Sequence, residues 1–218
     1  MTDWATWHTA YDDPSSLLSV RLRIVQAHLS AALSQAPAGK ISLVSLCAGQ
    51  GRDVIGVLPS HPRRVDVRAV LVEADPRNVA AARRAAGDGG LSQVEVREAD
   101  AGPVAGYADA LPADVLLLCG IFGNVSGSDI RRTVAAVPAL CNPGATVIWT
   151  RHRRAPDLTV QIRHWFTEAG LMEVAFDAVE VNTMIGVGVA RAGRGVGGAL
   201  PDGPLFTFGS ARHRCGPS

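Results

Sequence analysis

Apolar side chains recur at three- and four-residue steps early in the chain, at Leu18, Leu22, Val25, Leu29 and Leu33. This spacing puts them on one stripe of a helix. Ser15 and Ser16 precede the stripe as candidate N-caps, so the pattern predicts a helix that runs to about Gln35. We expect the stripe to lie on the domain and the side chains of Arg21 and Arg23 to turn away from it.

Beyond residue 40, short apolar runs alternate with amphipathic stretches. They predict seven strands, at residues 41–46, 67–73, 94–97, 114–119, 145–150, 172–177 and 184–190. Helices are predicted after the first strand and at residues 78–86, 129–140 and 159–169. The alternation indicates an α/β fold, a three-layer α/β/α sandwich around a mostly parallel sheet. No helix is predicted between the last two strands, so we expect them to pair antiparallel, with one strand of the seven reversed.

This pattern divides the chain into three parts. Residues 1–36 hold an aromatic segment and a helical extension, residues 37–191 hold the sheet, and residues 192–218 are rich in Gly and Pro. The aromatic segment either forms a lid over an aromatic substrate or pins the N-terminus to the core, and pinning is the favoured interpretation. Residues 205–208, Leu-Phe-Thr-Phe, are candidates for docking back on the sheet.

Composition narrows the functional classes. The 218 residues suit one domain. The 21 Lys and Arg residues balance the 20 Asp and Glu residues, and this near-neutral charge disfavours a nucleic-acid partner.

The four cysteines form no CxxC pair, which argues against a zinc ribbon or redox motif and indicates a reducing compartment. No run reaches 18 uncharged apolar residues and no leader pattern is present, so we expect a cytoplasmic protein without a membrane partner. No loop gathers Asp, Glu and His, so no metal site is predicted.

Candidate chemistry begins where the first two strands end. Gly49 and Gly51 follow the first strand, where glycine allows a ligand to approach the backbone closely. Glu73 ends the second strand, about 20 residues further on, where a carboxylate can accept hydrogen bonds from both hydroxyls of a ribose. The third glycine of the dinucleotide fingerprint is replaced by Val54. Together these residues predict a site for an adenosine-containing cofactor without the full pyrophosphate motif.

The chain resembles the class I methyltransferases that use S-adenosylmethionine, over nearly the whole of residues 41–190, and is similar to uncharacterised bacterial members of that superfamily. The resemblance rests on four stretches, residues 45–51, 71–76, 98–101 and 117–124. In the first, Ser45 replaces the family's usual acid and Cys47 its first glycine. The resemblance implies a Rossmann-like fold and S-adenosyl-L-methionine as cofactor. It assigns the cofactor-binding residues Cys47, Ala48, Gly49, Gly51, Asp53, Glu73, Ala74, Asp100, Ala101, Cys119, Gly120 and Ile121.

The activity implied by this resemblance is transfer of a methyl group to an O, N or C atom of a small-molecule acceptor. The stretch 117–124 lacks the Asn-Pro-Pro-aromatic signature of the enzymes that methylate amino groups of DNA and proteins. A general base assists if the acceptor is a hydroxyl or a protonated amine. The candidates for catalysis are His8, Tyr11, Asp12, Asn124 and His152.

Several interpretations stay open at this point. Residues 151–154, Arg-His-Arg-Arg, either hold an anionic group of the substrate or form a solvated loop. Asn124 either contacts the acceptor or the cofactor or is a turn residue, and Asp53 is interpreted as a polar residue that favours the helix dipole rather than as a catalytic residue. Cys47 and Cys119 are expected to act as small apolar residues rather than as reactive thiols.

The alternative functions are another nucleotide-dependent enzyme, such as an NAD oxidoreductase or an aminopropyl transferase, and a non-catalytic binding protein. The oligomeric state is open, with a homodimer among the options.

Overall fold

The computed structural model describes residues 11, 13–178, 185–195 and 197–208. In this part of the chain the strands are β1 (Ile41–Leu46), β2 (Val67–Glu73), β3 (Val94–Glu98), β4 (Ala113–Leu118), β5 (Cys141–His152), β6 (Leu171–Ala178) and β7 (Ile185–Ala192). The helices are α1 (Leu17–Gln35), α2 (Arg52–Val57), α3 (Pro76–Asp88), α4 (Gly127–Leu140) and α5 (Thr159–Glu168). Short 3₁₀ turns lie at Leu58–Ser60, Val104–Gly106 and Ala108–Ala110.

The strands form one sheet in the order β3-β2-β1-β4-β5-β7-β6. All neighbours pair in parallel except β7, which runs antiparallel to both β5 and β6. The prediction of seven strands with one reversed is therefore confirmed. The chain builds outward from β1 to β3, then returns to place β4 on the other side of β1. This change of direction leaves a crevice at the carboxyl ends of β1 and β4.

Apolar side chains cover both faces of the sheet. One face packs against α4 and α5 through residues such as Ile130, Val134 and Ile162. The other face packs against α1, α2 and α3, with Leu29 and Val54 fully buried. Helices on both faces of a mostly parallel sheet make the three-layer sandwich that the hydrophobic pattern predicts.

The first helix keeps its expected apolar stripe but not its expected polar face. Val25, Leu29 and Leu33 are buried against the sheet, and Ser16 caps the helix by accepting a hydrogen bond from the N–H of Ser19 at 3.1 Å. Arg23 is exposed, as expected. Arg21, in contrast, is half-buried and faces the cavity described below, because it lies one turn before Val25 at the end of the helix that borders the crevice.

Among the described residues, no helix is both long enough and apolar enough to cross a membrane. The described part of the chain also contains no group of three or more His, Cys, Asp or Glu side chains arranged to hold a metal ion.

Candidate active site

A cavity of about 460 Å³ lies at the carboxyl edge of the sheet, where the strand order changes direction between β1 and β4. Its wall comes from the turn after β1, from the ends of β2, β3 and β4, from one side of α1, and from residues 207 and 208. Ligands of open α/β sheets bind in such a crevice, and the volume is in the range of small-molecule sites. The cavity is the candidate active site.

The turn after β1 has a left-handed backbone. Cys47, Gly49 and Gly51 have φ angles of 54°, 57° and 69°. Glycine adopts this region freely, whereas a residue with a side chain is strained there, so Cys47 holds a costly conformation at the edge of the cavity. The N–H of Ala48 donates to the carbonyl of Val72 at 3.0 Å and ties the turn to β2.

Gly51 supports this turn from behind. It is the N-cap of α2, and a Cβ atom there would lie 2.7 Å from Cδ2 of Leu71 and 2.8 Å from Cδ1 of Ile55. Gly51 does not line the cavity. Glycine is required at this position by the positive φ and by the close packing of the turn against β2 and α2.

Glu73 is held at the cavity wall by two backbone N–H groups. Gly49 donates to its Oε2 and Asp75 donates to its Oε1, each at 2.8 Å. These bonds fix the orientation of the carboxylate, and each oxygen keeps a further lone pair for another donor. The end of β2 therefore presents a pre-oriented pair of acceptors to the cavity.

Asn78 is a lining residue that the sequence analysis missed. It lies in the first turn of α3, is only 1% exposed and borders the cavity. Its Oδ1 accepts no hydrogen bond from any residue that the structure describes. Buried amides are usually hydrogen-bonded, so this group suits a partner supplied by a bound ligand or water. Only its position five residues after Glu73, in the first turn of the next helix, could have indicated a role at the site.

The end of β3 supplies Asp100 and Ala101. Oδ1 of Asp100 accepts a hydrogen bond from the N–H of Gly102 at 2.9 Å, and the hydroxyl of Tyr107 donates to the carbonyl of Ala101 at 3.1 Å. Both residues line the cavity next to the β2 end. The side chain of Asp100 and the backbone of Ala101 are therefore held in place by neighbours that do not line the cavity.

Tyr11, Arg21 and Asp53 form a polar group at the side of the cavity bordered by α1 and α2. The guanidinium of Arg21 donates to the phenol oxygen of Tyr11, and Arg52 lies 5.3 Å from the centre of the Tyr11 ring. Oδ1 of Asp53 accepts from the N–H of Val54 at 2.8 Å. Burial raises the pKa of the Asp53 carboxyl and also that of the Tyr11 phenol, while Arg21 opposes both shifts.

The loop after β4 forms the opposite wall. The N–H of Gly120 donates to Oγ1 of Thr150 at 2.9 Å, and Nδ2 of Asn124 donates to the carbonyl of Gly120 at 2.7 Å. Gly120 and Asn124 line the cavity, so the amide of Asn124 both closes this turn and borders the ligand space. Ile121, assigned to the cofactor site from the sequence, is fully buried in the core and does not line the cavity.

Two cysteines at adjacent strand ends line the cavity. Burial raises the pKa of the Cys119 thiol and, with the nearby carboxylates of Glu73 and Asp100, raises that of Cys47 well above its ordinary value. A thiol nucleophile needs the thiolate form. Both groups stay neutral near pH 7, so they act as small apolar lining.

The basic stretch after β5 does not reach the cavity. Arg151 is 7% exposed and donates to the carbonyls of Phe122 and Pro156, so it is not a solvated side chain. His152 packs beside Gly123, and burial lowers the pKa of its imidazole. Neither residue lines the cavity, because the end of β5 turns toward the loop after β4.

Known structures share this fold. No protein-family model and no curated protein sequence matches the chain. Among solved structures, the CurJ carbon methyltransferase matches with a TM-score of 0.70 and 17% identity over 88% of this chain and 58% of that chain. An O-methyltransferase family protein from Burkholderia thailandensis matches with a TM-score of 0.63 and 18% identity over 84% and 58%. Magnesium protoporphyrin IX methyltransferase from Synechocystis PCC 6803, crystallised with bound S-adenosylmethionine, matches with a TM-score of 0.67 and 12% identity over 88% and 92%.

The fold is that of the class I methyltransferases. Because the sequence identities are only 18%, 17% and 12%, the similarity to these proteins concerns the fold alone. The chain spans 58% of the length of the first two proteins and 92% of the third.

Within the methyltransferase fold, most of the residues assigned from sequence lie around the one cavity described above. The lining includes Tyr11, Cys47, Ala48, Gly49, Asp53, Glu73, Ala74, Asp100, Ala101, Cys119, Gly120 and Asn124. Gly51, Ile121 and His152 do not line it, and His8 and Asp12 are outside the described residues. The lining residues that the sequence analysis did not assign include Arg21, Gln50, Arg52, Asn78, Thr207 and Phe208.

Proposed function

We propose that this protein is an S-adenosylmethionine-dependent methyltransferase that acts on a small-molecule acceptor. The observation that carries the proposal is the carboxylate of Glu73, held by Gly49 and Asp75 at the wall of the cavity. A fixed carboxylate at the end of the second strand suits the two hydroxyls of an adenosine ribose.

The lining residues fit the other parts of this cofactor. The buried amide of Asn78 offers an unused acceptor beside Glu73. Backbone from Cys47 to Gly49 curves around the space at the end of β1, where glycine admits close approach. The absence of a glycine at position 54, where buried Val54 packs in the core, disfavours a pyrophosphate and therefore NAD.

When bound, S-adenosylmethionine supplies a methyl group that its sulfonium already activates for attack. The task of the protein is then to orient the acceptor and exclude water. Tyr11 keeps its proton, because burial raises the pKa of its phenol, so it serves as a hydrogen-bond donor rather than a base. Burial raises the pKa of the Asp53 carboxyl, so its carboxylate is a better proton acceptor than that of an exposed aspartate.

The acceptor is proposed only as a class. The structural neighbours include both an O-methyltransferase family protein and a carbon methyltransferase, so the fold does not fix the methylated atom, which we propose to be O, N or C. Tyr11 and Asn124 border the cavity beside the ends of β1 and β4 and are the residues that we propose to contact the acceptor. A cytoplasmic location is part of the same proposal.

Calorimetric titration of the purified protein with S-adenosylmethionine, S-adenosylhomocysteine and NAD tests the proposal. We expect micromolar binding of the first two ligands and no binding of NAD. Tight binding of NAD alone would favour an oxidoreductase. Absence of binding by all three ligands would overturn the proposal and leave a non-catalytic member of the fold.

A further inference from the structure

Hydrogen bonds to its backbone hold the C-terminal segment (residues 204–208) at the edge of the cavity. The N–H of Leu205 donates to the carbonyl of Gly102 at 2.8 Å. The hydroxyl of Thr133 donates to the carbonyl of Leu205 at 3.0 Å, and Nε of Arg132 donates to the carbonyl of Pro204 at 3.0 Å. The segment is thus joined to the loop after β3 and to α4, two parts of the chain far from it in sequence.

Packing strengthens this attachment. Leu205 and Phe206 are almost completely buried, and the carbonyl oxygen of Phe206 lies close against Gly102. A Cβ atom on Gly102 would be only 2.5 Å from that oxygen, so the approach depends on glycine at this position. The segment is an integral part of the domain at this point.

Phe208 lies two residues beyond this anchor and faces the cavity. Its ring contacts Phe206 edge to face, with the centroids 5.4 Å apart, yet 39% of Phe208 remains exposed. Phe208 and Thr207 line the same cavity as Asp100 and Ala101. A large aromatic side chain left partly open in a cavity has apolar area that a ligand can cover.

The order of the strands indicates which part of a ligand reaches this ring. Glu73, at the end of β2, is the ribose site of the proposed function, and the switch point between β1 and β4 lies on one side of it. The other side leads to β3, whose end carries Asp100. With the methionine part of the cofactor at the switch point, the adenine base extends toward β3 and the C-terminal segment.

We propose that Phe208 is a cofactor-binding residue that packs against the adenine ring and so makes the C-terminal segment part of the cofactor site. This inference rests on the proposed function. Stacking or edge contact between an aromatic side chain and a base needs no sequence-specific hydrogen bond and depends on ring area. The N-terminal and C-terminal parts of the chain then border opposite ends of one ligand.

Calorimetric titration of the full chain with S-adenosylhomocysteine and with adenosine tests this inference. Phe208→Ala is compared with the conservative variant Phe208→Tyr and with Leu200→Ala, which changes an equally exposed side chain outside the cavity. Thermal unfolding of each variant confirms that the domain is intact. We expect Phe208→Ala to weaken both ligands by a similar factor, about five- to one-hundred-fold, and the other two variants to bind like the original protein.

Each other outcome has a distinct meaning. Equal binding by Phe208→Ala and the original protein overturns the inference and leaves the proposed function intact. Weaker binding of S-adenosylhomocysteine with unchanged binding of adenosine overturns the adenine assignment, because Phe208 then contacts the amino-acid part. If the original protein binds neither ligand, the proposed function fails and this inference fails with it.

Discussion

The backbone N–H of Gly49 donates a 2.8 Å hydrogen bond to Oε2 of Glu73, and this bond joins the turn after β1 to the end of β2. The carboxylate is therefore oriented before any ligand arrives. A pre-oriented acceptor loses less conformational freedom on binding than a free side chain does. The same bond couples the shape of the glycine turn to the proposed ribose site.

Replacement of Glu73 should weaken cofactor binding selectively. A hydrogen bond to a charged group contributes about 1.5–3 kcal/mol, so Glu73→Ala should raise the Kd for S-adenosylhomocysteine by roughly ten-fold or more. Glu98→Ala is a matched control, because Glu98 pairs with Glu73 across β2 and β3 but is exposed and outside the cavity. Unchanged affinity in Glu73→Ala by calorimetry would remove the ribose assignment.

Substitution of Gly51 should reduce stability through the backbone. Gly51→Ala forces a side chain into a φ of 69° and against Leu71 and Ile55, which should lower the free energy of unfolding by about 1–3 kcal/mol. Gly87→Ala is the control, since Gly87 lies inside α3 with no atom within 4 Å of an added Cβ. There we expect a gain of about 0.5–1 kcal/mol. Urea denaturation compares the two, and a stable Gly51→Ala variant would contradict the packing explanation.

Asp53 should make the stability of the protein depend on pH. Burial raises the pKa of its carboxyl in the folded state, so the folded protein binds the proton more tightly than the unfolded chain. Stability therefore falls as pH rises from the ordinary aspartate pKa, about 3.9, through the raised value. Asp53→Asn keeps the acceptor for the N–H of Val54 and removes the charge.

We expect Asp53→Asn to be more stable than the original protein at neutral pH, with the difference shrinking near pH 3, about one unit below the ordinary value. Urea denaturation at the two pH values measures this difference. A variant that is less stable at neutral pH would mean that attraction between Asp53 and Arg21 outweighs the cost of burial.

Arg151 should matter for stability and not for ligand binding. Arg151→Leu leaves the buried carbonyl of Phe122 without its donor, which should cost about 1.5–3 kcal/mol. Arg154→Ala, an exposed neighbour, should change stability by less than about 0.5 kcal/mol. Both variants should bind S-adenosylhomocysteine like the original protein, since neither arginine lines the cavity. Weaker binding of S-adenosylhomocysteine by Arg151→Leu at unchanged stability would contradict the placement of Arg151 outside the cofactor cavity.

The strands and the meeting of Gly49 with Glu73 could be predicted because both follow from local patterns. Short apolar runs separated by amphipathic stretches indicate parallel strands with helical connections. Carboxyl ends of parallel strands share one edge of a sheet, so residues that follow two such strands approach each other. The antiparallel β7 followed equally from a connection too short for a helix.

The positions of Arg21, Asn78, Arg151 and Phe208 depended on contacts between segments far apart in the chain. Periodicity reports which face of a helix is apolar, but Arg21 lies at the border of that face, where packing of α1 beside the glycine turn decides its direction. Arg151 is charged yet buried, and its guanidinium donates a hydrogen bond to the carbonyl of Phe122 in the loop after β4.

For this protein, local hydrophobic spacing and turn residues were enough to define the elements, their order along the chain and the edge of the sheet that holds the site. Tertiary packing decided which side chains face the cavity, and it brought the C-terminal segment with Phe208 to the end of β3. The physical reason is that the spacing of apolar residues and the turns that reverse the chain are each determined by a short stretch of sequence. The direction of a side chain at the rim of a cavity is set instead by the surfaces that meet there when the whole chain is folded.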